Sequence, residues 1–134
     1  MPTGYSGTPL AKKLGFAEGA PVWAKDMPES VQAEIEATAC PRYLARPGKA
    51  LPAAHLFHTS AAKLEADLTK LRPLLMAEGM VWVSWPKKTA KVETDITEDV
   101  IRKLALPMGY VDVKVCAVDE TWSGLKLVIR KGLR

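Results

Sequence analysis

Trp85-Pro86-Lys87-Lys88 sets an aromatic ring beside two ammonium groups. Such a set can stack on a flat ligand and hold its anionic group. The plainer reading of the same string is a ring covering a sheet edge with two solvated lysines beside it. His55 and His58 stand three apart. In a strand that spacing sends them to opposite faces, so they do not make a joint metal site. His58, at a strand end, is the one placed for general-base work, although a histidine there is more often simply hydrogen-bonded. Asp119-Glu120-Thr121-Trp122-Ser123-Gly124 pairs two acids, a set suited to binding a metal or to acid–base chemistry. Asp, Ser and Gly are equally what a turn requires. A turn does not ask for tryptophan, so Trp122 reads as folding over a core edge or a partner surface. Gly4-Tyr5-Ser6-Gly7-Thr8 leads into a helix and reads as a packing arm rather than an anion site, since its spacing is not that of a Walker loop.

These residues need elements to position them. Leu10 and Leu14 share a face of a short helix that starts at Thr8-Pro9 and stops at Gly15. Residues 20–24 form a short apolar run expected to be a strand, and residues 27–37 a helix with Val31 and Ile35 on one face. Between residues 38 and 52, Pro41, Pro47, Gly48 and Pro52 break any long element, which leaves room for a brief strand at 42–45. Residues 53–58 are a strand candidate. Leu64, Leu68, Leu71 and Leu75 make one stripe along a helix expected over 61–77, with Gly79 ending it. Residues 80–85 read as a buried strand. Thr97 caps a helix running to about Leu106, with Ile96 and Ile101 spaced as a hydrophobic staple. Residues 111–118 and 125–130 are strands joined by a turn at 119–124. They lie too close for a parallel crossover and must form a hairpin. Strands alternating with helices predict an α/β fold with a mostly parallel sheet flanked by helices and a C-terminal antiparallel hairpin.

The chain has 134 residues and a net charge of +4, with 48% hydrophobic and 25% charged residues. That is the length of one ordinary globular domain, expected over 1–134, with residues 1–19 an N-terminal arm and helix and 20–134 the sheet and its helices. No apolar run reaches the roughly 18 residues of a membrane span, and no secretory signal pattern opens the chain. Cys40 and Cys116 form no C-x-x-C pair, which excludes a disulfide scaffold and a thiolate zinc site. A cytoplasmic protein is the expectation. The acids are too well interspersed among Lys12, Lys13, Lys87, Lys88 and Lys91 for nucleic-acid binding to rank high.

Two resemblances enter here. Residues 4–15 (GYSGTPLAKKLG), 82–88 (WVSWPKK) and 111–126 (VDVKVCAVDETWSGLK) resemble the signatures of an uncharacterised bacterial domain-of-unknown-function family, which implies no reaction or substrate. The order of elements is similar to the C-terminal half of class I S-adenosylmethionine-dependent methyltransferases, which implies a Rossmann-like sheet. Those enzymes carry a glycine-rich turn after the first strand and an acid after the second. This chain has Ala24-Lys25-Asp26-Met27-Pro28-Glu29 at the first place and Arg42-Tyr43-Leu44-Ala45-Arg46 at the second.

In open α/β sheets ligands sit beyond the carboxyl ends of the strands. The segments expected to gather there supply the candidate site residues Lys25, Asp26, His58, Ser84, Trp85, Lys87, Lys88, Asp119, Glu120, Thr121, Trp122 and Ser123. Their convergence would suit an anionic ligand with a planar part. The missing glycine turn makes a non-catalytic binding or regulatory module with no cofactor and no metal the leading expectation. The alternatives are a small transferase using S-adenosylmethionine or a nucleotide in that crevice, and a weak nucleic-acid binder. The expected partner is an anionic small molecule or a protein, without a membrane, and a homodimer is compatible with the sequence.

Overall fold

The computed structural model describes residues 7–134; the expectations for Gly4, Tyr5 and Ser6 lie outside the described residues. Among the described residues four α-helices and six strands follow one another as α1 (Leu10–Leu14), β1 (Pro21–Lys25), α2 (Glu29–Glu36), β2 (Arg42–Tyr43), β3 (Leu51–Phe57), α3 (Ala61–Leu71), β4 (Leu75–Pro86), α4 (Glu98–Ala105), β5 (Tyr110–Ala117) and β6 (Trp122–Ile129). The strands join in one sheet of order β2-β1-β3-β4-β6-β5. The β1–β2, β1–β3 and β3–β4 pairs are parallel. β6 runs antiparallel to both β4 and β5. This is the expected α/β fold, a mostly parallel sheet ending in an antiparallel hairpin.

The period-two alternation of the central strands divides the core into two layers. Leu64, Leu68 and Leu71 of α3 and Ile101 and Ala105 of α4 pack with Leu56, Val83, Trp85 and Leu125 on one face. Leu10 and Leu14 of α1 and Val31 and Ile35 of α2 pack with Phe57, Trp82 and Val118 on the other. Burying each large aliphatic side chain in these layers contributes roughly 1.5–3 kcal/mol. Polar ties fix the layers to the sheet. The Trp82 indole donates to the Leu14 carbonyl at 2.8 Å, and the Tyr110 hydroxyl donates to the Leu68 carbonyl at 2.7 Å.

Local chemistry sets the boundaries. Gly15 ends α1 in the left-handed conformation at φ 77°. Thr97 caps α4 by accepting from the Val100 amide, and both members of the expected staple, Ile96 and Ile101, are buried. The sequence-based helix over 61–77 is too long. α3 stops at Leu71, and Pro73 cannot continue it because it lacks an amide donor. Leu75 therefore belongs to β4, where it is still buried. Gly79 lies inside β4, at a register shift in its pairing with β3, and its Cα sits where an added Cβ would meet the Leu51 carbonyl oxygen at 2.8 Å. The hairpin turn is also shorter than expected, since Trp122, Ser123 and Gly124 are already in β6.

A crevice at the switch point of the sheet

β1 continues into α2 on one face of the sheet, while β3, its neighbour, continues into α3 on the other. The ends of β1 and β3 are therefore where the fold reverses direction, the place at which open α/β sheets leave a crevice. A hollow of about 240 Å³ lies there, lined by Asp26, Phe57, His58, Thr59, Lys63 and Trp122.

Each wall has a local cause. Asp26 directly follows β1 with φ 57°, the left-handed conformation that Asp tolerates better than most side chains. Lys63 sits in the first turn of α3. Trp122 opens β6 and meets Phe57 edge to face, with ring centroids 5.1 Å apart. The Asp119 side chain accepts from the Thr121 and Trp122 amides at 2.8 and 2.7 Å, and this turn fixes where the indole begins.

Behind the crevice stands a charged array. Asp67, in the second turn of α3, is buried, and its Oδ2 lies 2.6 Å from His58 Nε2 while its Oδ1 accepts from Lys25 Nζ at 2.9 Å. An ionised carboxylate only accepts, so Nε2 of His58 carries the hydrogen. In the neutral ring that leaves Nδ1 as the acceptor nitrogen. A histidine oriented by a buried carboxylate is an arrangement suited to general-base chemistry.

His55 is a different case. As its spacing from His58 implied, it belongs to the opposite face, where its ring packs against Phe57 at 4.3 Å between centroids. Its Nε2 lies 2.8 Å from Ser84 Oγ, and among the described residues its Nδ1 has no partner. Burial pushes its pKa down to about 3, so it is a neutral core side chain. Cys116 is half-buried, and burial holds its thiol above the ordinary range, against the opposing pull of Lys13 and Lys114.

The twelve residues expected at strand ends do not form one site. Asp26, His58 and Trp122 line the crevice, and Lys25 reaches its rear through Asp67. Ser84 is buried in the sheet and engaged with His55. Trp85, Lys87 and Lys88 line a separate hollow. Trp85 packs in the core layer of α3 and α4 and Trp122 against that of α1 and α2, so the two rings stand on opposite faces. The reason is the strand register: Trp85 pairs with Ser123, and Trp122 pairs with Pro86, one residue out of phase. Asp119 is used by its own turn, and the Thr121 carbonyl accepts from the Lys87 amide. Glu120 is exposed on that turn and Ser123 sits in β6. Thr59 belongs to a segment expected at the strand ends, whereas reasoning from sequence missed Phe57, Lys63 and, above all, Asp67. Asp67 had a visible signal, an acid one residue before Leu68 on the face carrying Leu64 and Leu71.

No protein-family model matches the chain, and neither does any curated protein. The likeness of its three signature strings to an uncharacterised bacterial family thus has no matching model behind it. Solved structures do match. One is a SAM-dependent methyltransferase from Aquifex aeolicus, at a TM-score of 0.57 and 14% identity, covering 90% of this chain and 87% of that one. The fold is Rossmann-like, of the kind methyltransferases share. A TehB-like SAM-dependent methyltransferase from Corynebacterium glutamicum matches at a TM-score of 0.53 and 9% identity, over 96% of this chain and 91% of that one. LepI, solved as a complex with SAM, matches at 0.54 and 14% identity over 90% of this chain. The chain spans only 39% of the length of LepI. No helix among the described residues is long and apolar enough to cross a membrane.

Proposed function

We propose that the protein is a small transferase that takes a nucleoside-bearing cofactor, S-adenosylmethionine or a nucleotide, in the crevice between the ends of β1 and β3. The observation that carries this reading is the position of the Asp67-oriented His58 at the switch point of a fold that methyltransferases share. It displaces the non-catalytic module as the leading reading.

The residues present suit the nucleoside part of such a ligand. Phe57 and Trp122 offer apolar aromatic surface for a base, Asp26 offers a carboxylate for sugar hydroxyls, and Lys63 offers an ammonium for a carboxylate or phosphate. S-Adenosylmethionine, when bound, supplies an electrophilic methyl group. The chain's own contribution is proton handling and orientation. His58 Nδ1 accepts the proton lost by an attacking nucleophile, and Asp67 holds the ring and stabilises it once protonated. Lys25, on the other oxygen of Asp67, fixes that carboxylate in turn.

A second reading has a specific observation in its favour. The turn after β1 holds Asp26, Met27 and Pro28 where a glycine turn would let backbone approach a cofactor, and the residues after β2 include no acid. That pattern suits a non-catalytic binding or regulatory module.

Equilibrium dialysis with labelled S-adenosylmethionine, S-adenosylhomocysteine and ATP separates the two. The transferase reading expects saturable binding of at least one, weakened about tenfold by Asp26→Asn, which keeps the left-handed backbone. No binding of any of the three would leave the module reading standing.

A further inference from the structure

Lys12 and Lys13 of α1 meet Lys114 and Cys116 of β5 around a hollow of about 480 Å³, which Thr8 and Ala117 also line. It shares no lining residue with the crevice. Among the described residues that line it there are three lysines and no acid.

The strand ladder sets a fourth lysine beside them. Lys114 stands directly opposite Lys126 in the antiparallel β5–β6 pair. Residues so opposed share a face of the sheet, with Cβ atoms about 4.5–5.5 Å apart. That face is the one α1 covers, because Lys126 is in turn opposite Trp82, whose indole donates to the Leu14 carbonyl. Like charges directly opposite each other weaken a strand pair. Pairing therefore gives no reason for two lysines at this point, whereas an anion held beside them does.

The cluster is also held in place. Lys13 Nζ donates to the Ala117 carbonyl at 3.1 Å, and Lys114 Nζ donates to the Lys13 carbonyl at 3.1 Å, a reciprocal tie between α1 and β5. An ammonium carries three donors, so the Lys114 tie uses only one of them. Burial raises the Cys116 thiol, and Lys13 and Lys114 both pull it back down, so their fields converge on that sulfur. The acids on either side along the chain are engaged elsewhere. Asp112 is held by Arg102 of α4 at 3.0 Å, and Asp119 accepts two amides of its own turn. Among the described residues neither Lys12 nor Lys114 has an ion-pair partner. Ammonium groups placed in advance lose less freedom when a ligand arrives.

We propose that this hollow binds the phosphate group of a small phosphorylated molecule. Lysine holds phosphate as a point charge. Three ammonium groups from two elements suit a dianion with several acceptor oxygens better than a singly charged carboxylate. The bound group lies between α1 and β5 and offsets the repulsion between Lys114 and Lys126. The site stands on its own residues, whether or not the crevice carries chemistry.

Inorganic phosphate, glycerol 3-phosphate and acetate are the probes, titrated into isotope-labelled full chain at fixed ionic strength and read by amide NMR. Both phosphates should shift the amides of Lys13, Lys114 and Cys116 saturably and bind about tenfold more tightly than acetate. The paired Lys12→Gln and Lys114→Gln variant should weaken glycerol 3-phosphate about tenfold with the fold retained, since both side chains are exposed. The paired Lys12→Arg and Lys114→Arg variant keeps both charges and should keep the binding. Asp26→Asn should leave it unchanged. Acetate binding as tightly as the phosphates would overturn the proposal. So would an intact affinity in the double-glutamine variant, a loss in Asp26→Asn, or shifts centred away from α1 and β5.

Discussion

His58 Nε2 and Asp67 Oδ2 lie 2.6 Å apart, across the junction of β3 with α3. Both side chains are buried, at 4% and 8% exposure, so the contact is a core feature as much as a functional one. The same carboxylate reaches Lys25 of β1, so one acid links two neighbouring strands to the helix that covers them. Asp67→Ala removes an acceptor shared by two donors, one of them inside the core. It should cost about 1–3 kcal/mol in urea unfolding. A loss under about 0.5 kcal/mol would mean that His58 and Lys25 regain water without strain, and the array would then be peripheral to stability.

His55 predicts a pH dependence with a definite sign. Burial lowers its folded pKa to about 3 from an ordinary 6.5. Between those values the unfolded chain binds a proton that the folded chain does not. The stability is therefore full above pH 6.5 and is lost as pH falls towards 3, with a slope of up to about 1.4 kcal/mol per pH unit. Going from pH 7 to pH 5, this residue should account for a loss of about 2 kcal/mol. Urea unfolding at both pH values should show a smaller drop in His55→Gln by about that amount. Identical drops in the two proteins would contradict the assignment of His55 as a neutral core residue.

Leu68 and Leu71 are fully buried under the sheet face shared with Val83 and Leu125. Leu68→Ala and Leu71→Ala should each cost about 2–5 kcal/mol in chemical denaturation. Changes below about 0.5 kcal/mol would place the stripe away from the core.

Gly79 offers a test of the irregular start of β4. A Cβ at this position would stand 2.8 Å from the Leu51 carbonyl oxygen, a backbone atom that cannot swing aside. Gly79→Ala should destabilise by about 1–3 kcal/mol, read as a lowered denaturant midpoint at unchanged slope. A variant as stable as the parent would show that the two strands separate there at little cost.

The fold was largely legible because its signals are local. Val22, Val83 and Leu125 sit in short runs bounded by turn residues. Thr97 with Ile96 and Ile101 marks a helix start, and the proximity of β5 to β6 allows only a hairpin. The errors occurred where one residue outweighed a periodic pattern. Pro73 ended α3 although leucines continued at helical spacing, and the Asp119 side chain closed its turn early enough to put Trp122 in a strand. The site was less legible because register is a tertiary property. Trp85 and Trp122 both lie near strand ends, yet a one-residue phase difference sends them to opposite faces. Asp67 is masked by the leucine stripe around it: the stripe alone accounts for the helix, while the histidine that the acid reaches lies outside that helix.

Amide NMR of the full chain titrated with S-adenosylhomocysteine tests most directly whether the β1–β3 crevice is where this protein holds its ligand. The predicted result is a saturable set of shifts centred on Asp26, His58, Thr59 and Trp122, weakened about tenfold in Asp26→Asn, with the Lys87 and Lys88 amides unmoved. A spectrum that does not change, or shifts confined to residues away from the ends of β1 and β3, would contradict it.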